Sequence, residues 1–130
     1  MNVTRRMTRD PETLGPKRTV AEARVLMDAG GFRRMPIVDN GRLVGIISDR
    51  DVRRYQRDEL STPIEKAMTR DPVTLTTATS VEQAARLMLK HKIGGLPVME
   101  HDKLVGILTT TDVLKAFLDL IQASQALMNP

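Results

Sequence analysis

The stretch LVGIISDRD at residues 43–51 recurs as LVGILTTTD at residues 104–112. Each copy is an apolar run that ends in a hydroxyl residue, Ser48 or Thr109, with an Asp three positions later. Short apolar runs bounded by polar residues are typical of buried strands, and Ser and Thr are favoured at helix N-termini. The stretch therefore predicts, twice in one chain, a strand that passes directly into a helix.

The repetition extends outward from this stretch at a constant offset of 61 residues. Residues 7–54 and 68–115 align without a gap, and 18 of the 48 positions are identical. The segment Met7–Pro11, for example, is identical to Met68–Pro72 at all five positions, with the sequence Met-Thr-Arg-Asp-Pro. Self-similarity at a fixed period indicates a duplicated structural unit.

Each unit predicts the order β-α-β-β-α. One unit of about 50 residues is marginal as an isolated core, so the fold class is α/β (α+β), with both repeats packed as one pseudo-two-fold module. We assign residues 1–61 to the first repeat with its linker at 57–62, and residues 62–130 to the second repeat with a C-terminal helix. The local signals are extended segments at Glu12–Leu14 and Val73–Leu75, capping boxes at Thr19–Glu22 and Ser80–Gln83, a helix end at Gly30-Gly31, strands from Met35 and Leu96, a hairpin turn at Asn40-Gly41, strands at Leu43–Ser48 and Leu104–Thr109, and helices from about Arg50 and Thr111.

The composition narrows the function classes. Aromatic residues make up 2% of the 130 residues, so we expect an aliphatic core filled with methionine. The lack of cysteine excludes disulfides and thiol nucleophiles, and two histidines leave no standard zinc motif. The basic N-terminus lacks the apolar region of a signal peptide, and no apolar run approaches the ~20 residues of a membrane span. We therefore expect a cytoplasmic protein without a membrane association.

The formal net charge of +4 is unevenly distributed. Residues 1–61 hold 13 Lys and Arg against 9 Asp and Glu, whereas residues 62–130 hold 7 of each. Arginine binds phosphate and carboxylate in a bidentate manner, which suggests an anionic partner. A solvated surface is the simpler explanation for a charge of this size. Nucleic acid binding through the first half is an alternative, which the scarcity of aromatic residues for base stacking disfavours.

The two Ser/Thr-x-x-Asp junctions permit two interpretations. In the structural one, Ser48 and Thr109 are N-caps, and Asp51 and Asp112 complement the helix dipole. In the functional one, the helix start and the hydroxyl attract phosphate, while the Asp accepts hydrogen bonds from ribose hydroxyls. The occurrence of two copies at an equal offset, each after a Gly, favours ligand binding.

With these features together, the sequence resembles a tandem pair of CBS domains, the regulatory modules named after cystathionine β-synthase. The resemblance covers about residues 3–117. It is carried by Met-Thr-x-Asp-Pro, by the Pro-Ile and Pro-Val strands, by Leu-Val-Gly-Ile and by the terminal Ser/Thr-x-x-Asp, all of them duplicated.

The resemblance implies two clefts between the repeats, each built from both. Their ligands would be adenosyl compounds: AMP, ADP and ATP, with S-adenosylmethionine and NAD as further candidates and no required cofactor. One cleft would use Thr109, Thr111 and Asp112 with Thr13, Phe32, Arg33, Arg34, Met35 and Pro36. The other would use Ser48, Arg50 and Asp51 with Thr74, Ile93, Gly94, Leu96 and Pro97.

The two clefts are expected to differ. Arg50 lies beside Asp51, but its counterpart is the uncharged Thr111, where many family members carry a base. Arg33 and Arg34 stand opposite Gly94 and Gly95 and could replace that charge, fill the base pocket or face solvent.

We therefore expect a stand-alone regulatory module that binds adenine nucleotides and is not an enzyme, since no phosphate-binding loop motif or nucleophile–base pair is recognisable. A regulated enzyme or transporter would be its partner. The apolar stretch Val113–Leu127 exceeds its counterpart in the first repeat, which favours a homodimer over intramolecular packing. A ligand-free scaffold that binds an enzyme subunit is the remaining alternative.

Overall fold

The protein folds as two copies of one unit, as predicted. The computed structural model describes residues 1–128, so the last two residues of the second repeat's assigned range lie outside the described part. The first copy contains a 3-10 turn at Val3–Arg5, β1 (Thr8–Arg9), α1 (Val20–Gly30), β2 (Arg34–Asp39), β3 (Arg42–Ser48) and α2 (Asp49–Arg54). The second contains α3 (Ile64–Ala67), β4 (Thr69–Arg70), β5 (Leu75–Thr76), α4 (Val81–His91), β6 (Gly95–Glu100), β7 (Lys103–Thr109) and α5 (Thr110–Met128).

The two repeats exchange their first strands. β1 pairs antiparallel with β7 of the second repeat, through Thr8 opposite Ile107. β4 pairs in the same way with β3 of the first repeat, through Thr69 opposite Ile46. The resulting sheets have the orders β1-β7-β6-β5 and β2-β3-β4. Each sheet is therefore completed by the other repeat, which makes the two units one module.

The glycine of each LVGI stretch is required by this exchange. A Cβ on Gly45 would lie 2.5 Å from Met68 Sδ and 2.8 Å from the Thr69 carbonyl oxygen. A Cβ on Gly106 would lie 2.5 Å from Met7 Sδ and 2.9 Å from the Thr8 carbonyl oxygen. The Met-Thr-Arg-Asp-Pro and Leu-Val-Gly-Ile motifs are thus the two sides of one contact, made twice.

The exchanged segments also enter the two hydrophobic cores. Val3 and Met7 pack into the cluster of the second repeat, and Ile64 and Met68 pack into that of the first. Phe32 borders the first cluster and is only partly buried. The core is thus aliphatic with methionine as filler, as the composition predicts. Burial of these side chains couples the repeats energetically, because removing apolar surface from water drives folding.

One of the two predicted capping boxes is complete. At the start of α4, the Ser80 amide donates to Gln83 Oε1 at 2.9 Å and the Gln83 amide donates to Ser80 Oγ at 3.0 Å. At α1, the Glu22 amide donates to Thr19 Oγ1 at 3.2 Å. The Glu22 carboxylate, however, accepts from Arg18 Nε at 2.6 Å, and this hydrogen bond lowers the pKa of Glu22. The Thr19 cap therefore lacks the reciprocal half.

The predicted linker, residues 57–62, is held against α1. The Ala21 amide donates to the Glu59 carbonyl oxygen at 2.9 Å. The Glu59 carboxylate accepts from Arg24 Nε at 2.8 Å and from its second terminal nitrogen at 2.9 Å. Such bidentate pairs fix orientation as well as charge. The hydrogen bonds that Arg24 donates to the Glu59 carboxylate raise the pKa of Arg24.

The C-terminal helix leaves an apolar face uncovered. Only Ala116 of α5 is buried. Phe117 is 54% exposed, Leu118 58% and Ile121 37%. The alternative of packing within the chain is therefore wrong for these three side chains.

In the described residues 1–128, no helix is both long and apolar enough to traverse a bilayer.

We expect Gly106→Ala to destabilise the protein by about 1–3 kcal/mol, because overpacking against the backbone of β1 cannot be relieved by a rotamer change. Denaturant unfolding of the variant and the parent chain measures this difference. Gly15→Ala is the matched control, since its nearest neighbour would be the Val38 carbonyl oxygen at an ordinary 3.7 Å. Equal unfolding midpoints for Gly106→Ala and Gly15→Ala would contradict the role assigned to this contact.

Candidate ligand-binding clefts

The first Ser/Thr-x-x-Asp junction forms a reciprocal cap at the start of α2. The Ser48 amide donates to Asp51 Oδ2 at 2.9 Å, and the Asp51 amide donates to Ser48 Oγ at 3.2 Å. Asp51 Oδ1 lies 3.7 Å from Arg54 Nη1, beyond hydrogen-bond distance. The Asp51 side chain is only 14% exposed, so its position is set by the cap.

The second junction repeats this geometry at the start of α5. The Thr109 amide donates to Asp112 Oδ2 at 2.8 Å, and Thr109 Oγ1 donates to the same oxygen at 3.0 Å. Asp112 Oδ1 makes no hydrogen bond or ion pair with any residue in the range 1–128. The structural interpretation of these residues is thus realised in both repeats, yet each cap uses one carboxylate oxygen and leaves the other available to accept from a ligand.

Asp112 faces a cavity of about 440 Å³ between the repeats. Six predicted residues line it: Thr109, Thr111, Asp112, Phe32, Arg33 and Arg34. Three predicted residues do not. Met35 and Pro36 are fully buried in β2, and Thr13 is exposed outside the cavity wall. The other lining residues are Thr8, Asp10, Pro11, Glu12, Gly31 and Ile107.

Asp51 faces a second cavity of about 500 Å³. Five predicted residues line it: Ser48, Arg50, Asp51, Ile93 and Gly94. Leu96 and Pro97 are instead fully buried in β6, and Thr74 lines a separate surface hollow beside Asp71 and His101. The remaining lining residues are Arg33, Arg34, Ile46, Asp49, Arg53, Arg54, Thr69, Lys92 and Gly95.

Met35, Pro36, Leu96 and Pro97 were expected on the cleft walls from the family resemblance alone. Both faces of β2 and β6 are covered instead, so three consecutive residues, Met35–Ile37 in β2, are buried. Only the first residues of these strands, Arg34 and Gly95, reach a cleft.

Sequence reasoning missed the contribution of the exchanged strands. Thr8 and Ile107 line the Asp112 cleft, and their counterparts Thr69 and Ile46 line the Asp51 cleft. Each pair is a register pair in the exchanged ladder. The duplication of the Met-Thr-Arg-Asp-Pro motif was the available signal, but its partner strand cannot be identified from local pattern.

The site lacks the features of a metal centre. Within residues 1–128, no group of three or more His, Asp or Glu side chains is placed to hold a metal ion. The arrangement offers one fixed carboxylate in each of two clefts, and each cleft is built from both repeats. Basic side chains and a few apolar side chains line the same clefts. These groups suit reversible binding of a polar ligand of nucleotide size.

Comparison with known proteins gives consistent results for most of the chain. A family model described as CBS domain matches residues 2–58 and again residues 64–119. The CBS domain-containing protein YhcV of Bacillus subtilis is 32% identical over 126 residues, which is 95% of this chain and 90% of that protein. An inosine-5'-monophosphate dehydrogenase of Korarchaeum cryptofilum is 37% identical over 106 residues, 81% of this chain. The match spans only 22% of the dehydrogenase.

Solved structures of similar chains carry adenosyl ligands. The CBS domain pair of protein MJ0100, in complex with 5'-methylthioadenosine and S-adenosyl-L-methionine, superposes with a TM-score of 0.84 and 30% identity, over 90% of this chain and 95% of that one. CBSX2 of Arabidopsis thaliana, in complex with AMP, gives a TM-score of 0.81 and 30% identity, over 92% and 97%. The duplicated sequence motifs, the exchanged strands and these matches lead to one conclusion: the chain belongs to the CBS domain family, with two CBS domains in tandem.

Proposed function

We propose that this protein is a regulatory module that binds adenine nucleotides in the clefts between its two repeats and has no catalytic activity of its own. The main support is the pair of carboxylates, Asp51 and Asp112, that the helix caps fix in equivalent clefts while one oxygen of each is left available. The AMP complex of a chain 30% identical supports the ligand class.

The ligand would be held from both repeats at once. In the Asp51 cleft, Asp51 Oδ1, which the cap does not use and which lies 3.7 Å from Arg54 Nη1, would accept from the ribose hydroxyls. Arg50 would pair with a phosphate, and Ile93 would contact the nucleobase. In the Asp112 cleft, Phe32 takes the place of Ile93 and Thr111 that of Arg50. Hydrogen bonds that involve a charged group are among the stronger ones available to a protein.

Binding across the repeats explains how such a module would regulate. Because each cleft contains residues of both repeats, a ligand stabilises whichever mutual arrangement it fits best, and it can shift the equilibrium only by that difference in affinity. A regulated enzyme or transporter would read the shifted arrangement. A cytoplasmic location remains a prediction.

The exposed face of α5 provides a surface for a second copy. We propose a homodimer in which Phe117, Leu118 and Ile121 of both copies pack together, since a two-fold axis lets one apolar patch cover its own equivalent. Monomeric proteins seldom leave a continuous apolar patch of this kind in water.

A thermal-shift screen tests the ligand class directly. AMP, ADP, ATP, NAD and S-adenosylmethionine each raise the melting temperature if they bind the native state alone. A rise with at least one of them supports the proposal. No rise with any of them would favour the ligand-free scaffold, and a rise only with RNA or DNA that disappears steeply with salt would favour nucleic acid binding.

We expect Asp51→Ala and Asp112→Ala each to weaken adenosine or AMP binding in its own cleft by about 1.5–3 kcal/mol, the size of a hydrogen bond to a charged group. Calorimetric titration measures the loss, and thermal melting measures the accompanying cap loss of about 1 kcal/mol. Ser80→Ala is the matched control, because it removes the same type of cap from α4, outside both clefts. A lower melting temperature with unchanged affinity in the Asp variants would leave them with a capping role only.

Arg50→Ala should lower the affinity for AMP more than that for adenosine, because only AMP carries the phosphate that the guanidinium would pair with. Parallel titrations of the two ligands into the variant and the parent chain give the two ratios. Thr111→Ala, at the equivalent position of the other cleft, should leave the ratio unchanged. Equal losses for AMP and adenosine would exclude this role for Arg50.

Light scattering at micromolar concentration should give a mass near twice 14.5 kDa. Phe117→Asp combined with Ile121→Asp should produce monomers or insoluble chain, because the charges would be buried without partners. Leu60→Asp is the control, since Leu60 is 81% exposed and lies in the linker. A monomeric parent chain would refute the dimer and leave the nucleotide proposal unaffected.

A further inference from the structure

The two clefts are equivalent in backbone but opposite in charge. The wall of the Asp51 cleft contains six basic residues, Arg33, Arg34, Arg50, Arg53, Arg54 and Lys92, against the two acids Asp49 and Asp51. The wall of the Asp112 cleft contains three acids, Asp10, Glu12 and Asp112, against the two bases Arg33 and Arg34 that it shares with the other cleft. The two equivalent clefts therefore differ in the sign of the net charge of the residues that line them.

Most of the basic side chains in the Asp51 cleft form no ion pair or hydrogen bond with another residue in the range 1–128. Arg53 and Arg54 lie 3.7 Å from Asp49 and Asp51. The side chains of Arg33, Arg34, Arg50 and Lys92 make no hydrogen bond or ion pair with another residue of the described chain. Like charges that converge on one cavity repel each other, and an anion bound among them removes that cost.

Arg34 adds to this imbalance by crossing from one repeat to the other. Its side chain runs over the start of β6, where a Cβ on Gly95 would lie 2.5 Å from Arg34 Cδ and a Cβ on Gly94 would lie 2.7 Å from Arg34 Cζ. The two glycines, which stand opposite Arg33 and Arg34 in the repeat, leave room for this side chain. The guanidinium thus reaches the wall of the Asp51 cleft, although Arg34 was assigned from the resemblance to the Asp112 cleft.

Lys92 adds a further positive charge to the Asp51 cleft, at a position where the other repeat has a glycine. It ends α4 with a φ of 55°, in the left-handed region, where its counterpart Gly31 has a φ of 69°. A residue with a Cβ costs free energy in this region and glycine does not. The strained position carries a base in the Asp51 cleft and no side chain in the Asp112 cleft.

The Asp112 cleft lacks the bases that only the Asp51 cleft contains, and its two basic residues, Arg33 and Arg34, are shared with that cleft. Thr111 replaces Arg50, Gly31 replaces Lys92, and Glu12 adds a carboxylate where the other repeat has Val73. Apart from the shared Arg33 and Arg34, the cleft offers Asp112 for the ribose and the Phe32 ring as an apolar contact for a nucleobase, and its three carboxylates outnumber the two guanidinium groups. This cleft suits a nucleoside that carries no negative charge.

We propose that the two clefts sort adenosyl ligands by charge: the Asp51 cleft takes a nucleoside polyphosphate, and the Asp112 cleft takes a phosphate-free nucleoside. The inference rests on the proposed function, because it assumes that both clefts receive adenosyl ligands. It makes the module a sensor of two ligands at once, in which occupancy of one cleft does not exclude the other ligand.

Two-ligand calorimetry on the full chain tests this sorting, with ATP and adenosine as probes in a buffer without divalent cations. We expect one ATP and one adenosine per chain, with the adenosine affinity changed less than about twofold when ATP is saturating. Added salt should weaken ATP binding and leave adenosine binding nearly constant, since screening acts on charged groups.

Substitutions in one cleft at a time show which ligand binds there. Lys92→Gly should weaken ATP binding about tenfold or more while the melting temperature of the free protein holds or rises, because the base is lost and the strain is relieved. The affinity for adenosine should stay within about twofold of the parent value in Lys92→Gly, and it should fall in Asp112→Ala. Lys103→Gln is the matched control, since it removes one positive charge from the exposed start of β7, outside both clefts, and should change neither affinity.

Three results would overturn the proposal, and they are distinguishable. Competition between ATP and adenosine for a single site, or two equal ATP sites per chain, would refute the sorting and leave adenine nucleotide binding intact. An unchanged ATP affinity in Lys92→Gly would refute the assignment of the polyphosphate to the Asp51 cleft. Absence of binding by either probe would refute the proposed function itself.

Discussion

The exchange of first strands between the repeats is the constraint on which the rest of the structure depends. A two-residue strand is too short to be stable alone, so β1 and β4 persist because Met7 and Met68 are buried against the glycines of the partner repeat. The same contact places the following threonines, Thr8 and Thr69, on the cleft walls. Core, sheet and clefts are therefore consequences of one packing arrangement made twice.

The helix caps connect this scaffold to ligand binding. A carboxylate in solution samples many orientations, but Asp51 and Asp112 each accept from the backbone amide of the residue that caps the helix. The conformational entropy of the carboxylate is therefore lost during folding, so that ligand binding does not have to order this side chain. Capping and binding, which look like competing explanations in the sequence, are compatible because a carboxylate has two oxygens.

Sequence reasoning identified what is encoded locally. The Asn40-Gly41 turn, the apolar runs and the Ser and Thr caps are signals within a few residues, and the helices and strands that they predict are confirmed within one or two residues. The extended segment predicted at Glu12–Leu14, in contrast, forms only an isolated bridge between Leu14 and Ile37. The strand exchange joins Arg9 to Gly106, and no local pattern carries that information. The burial of Pro36 and Pro97 was not predicted for the same reason, because the elements that cover both faces of a strand lie far away in the chain.

The exchanged strands also indicate how a tandem protein of this kind can arise. Two separate copies of a single repeat could form the same β1–β7 and β3–β4 ladders between chains, as a domain-swapped pair. Joining the copies through residues 57–62 makes that association intramolecular, at an effective concentration on the order of millimolar for a short linker. Once joined, the halves are no longer obliged to be identical. One strand start could then accept arginines and the other glycines, so that covalent linkage gave a symmetric assembly the freedom to diverge.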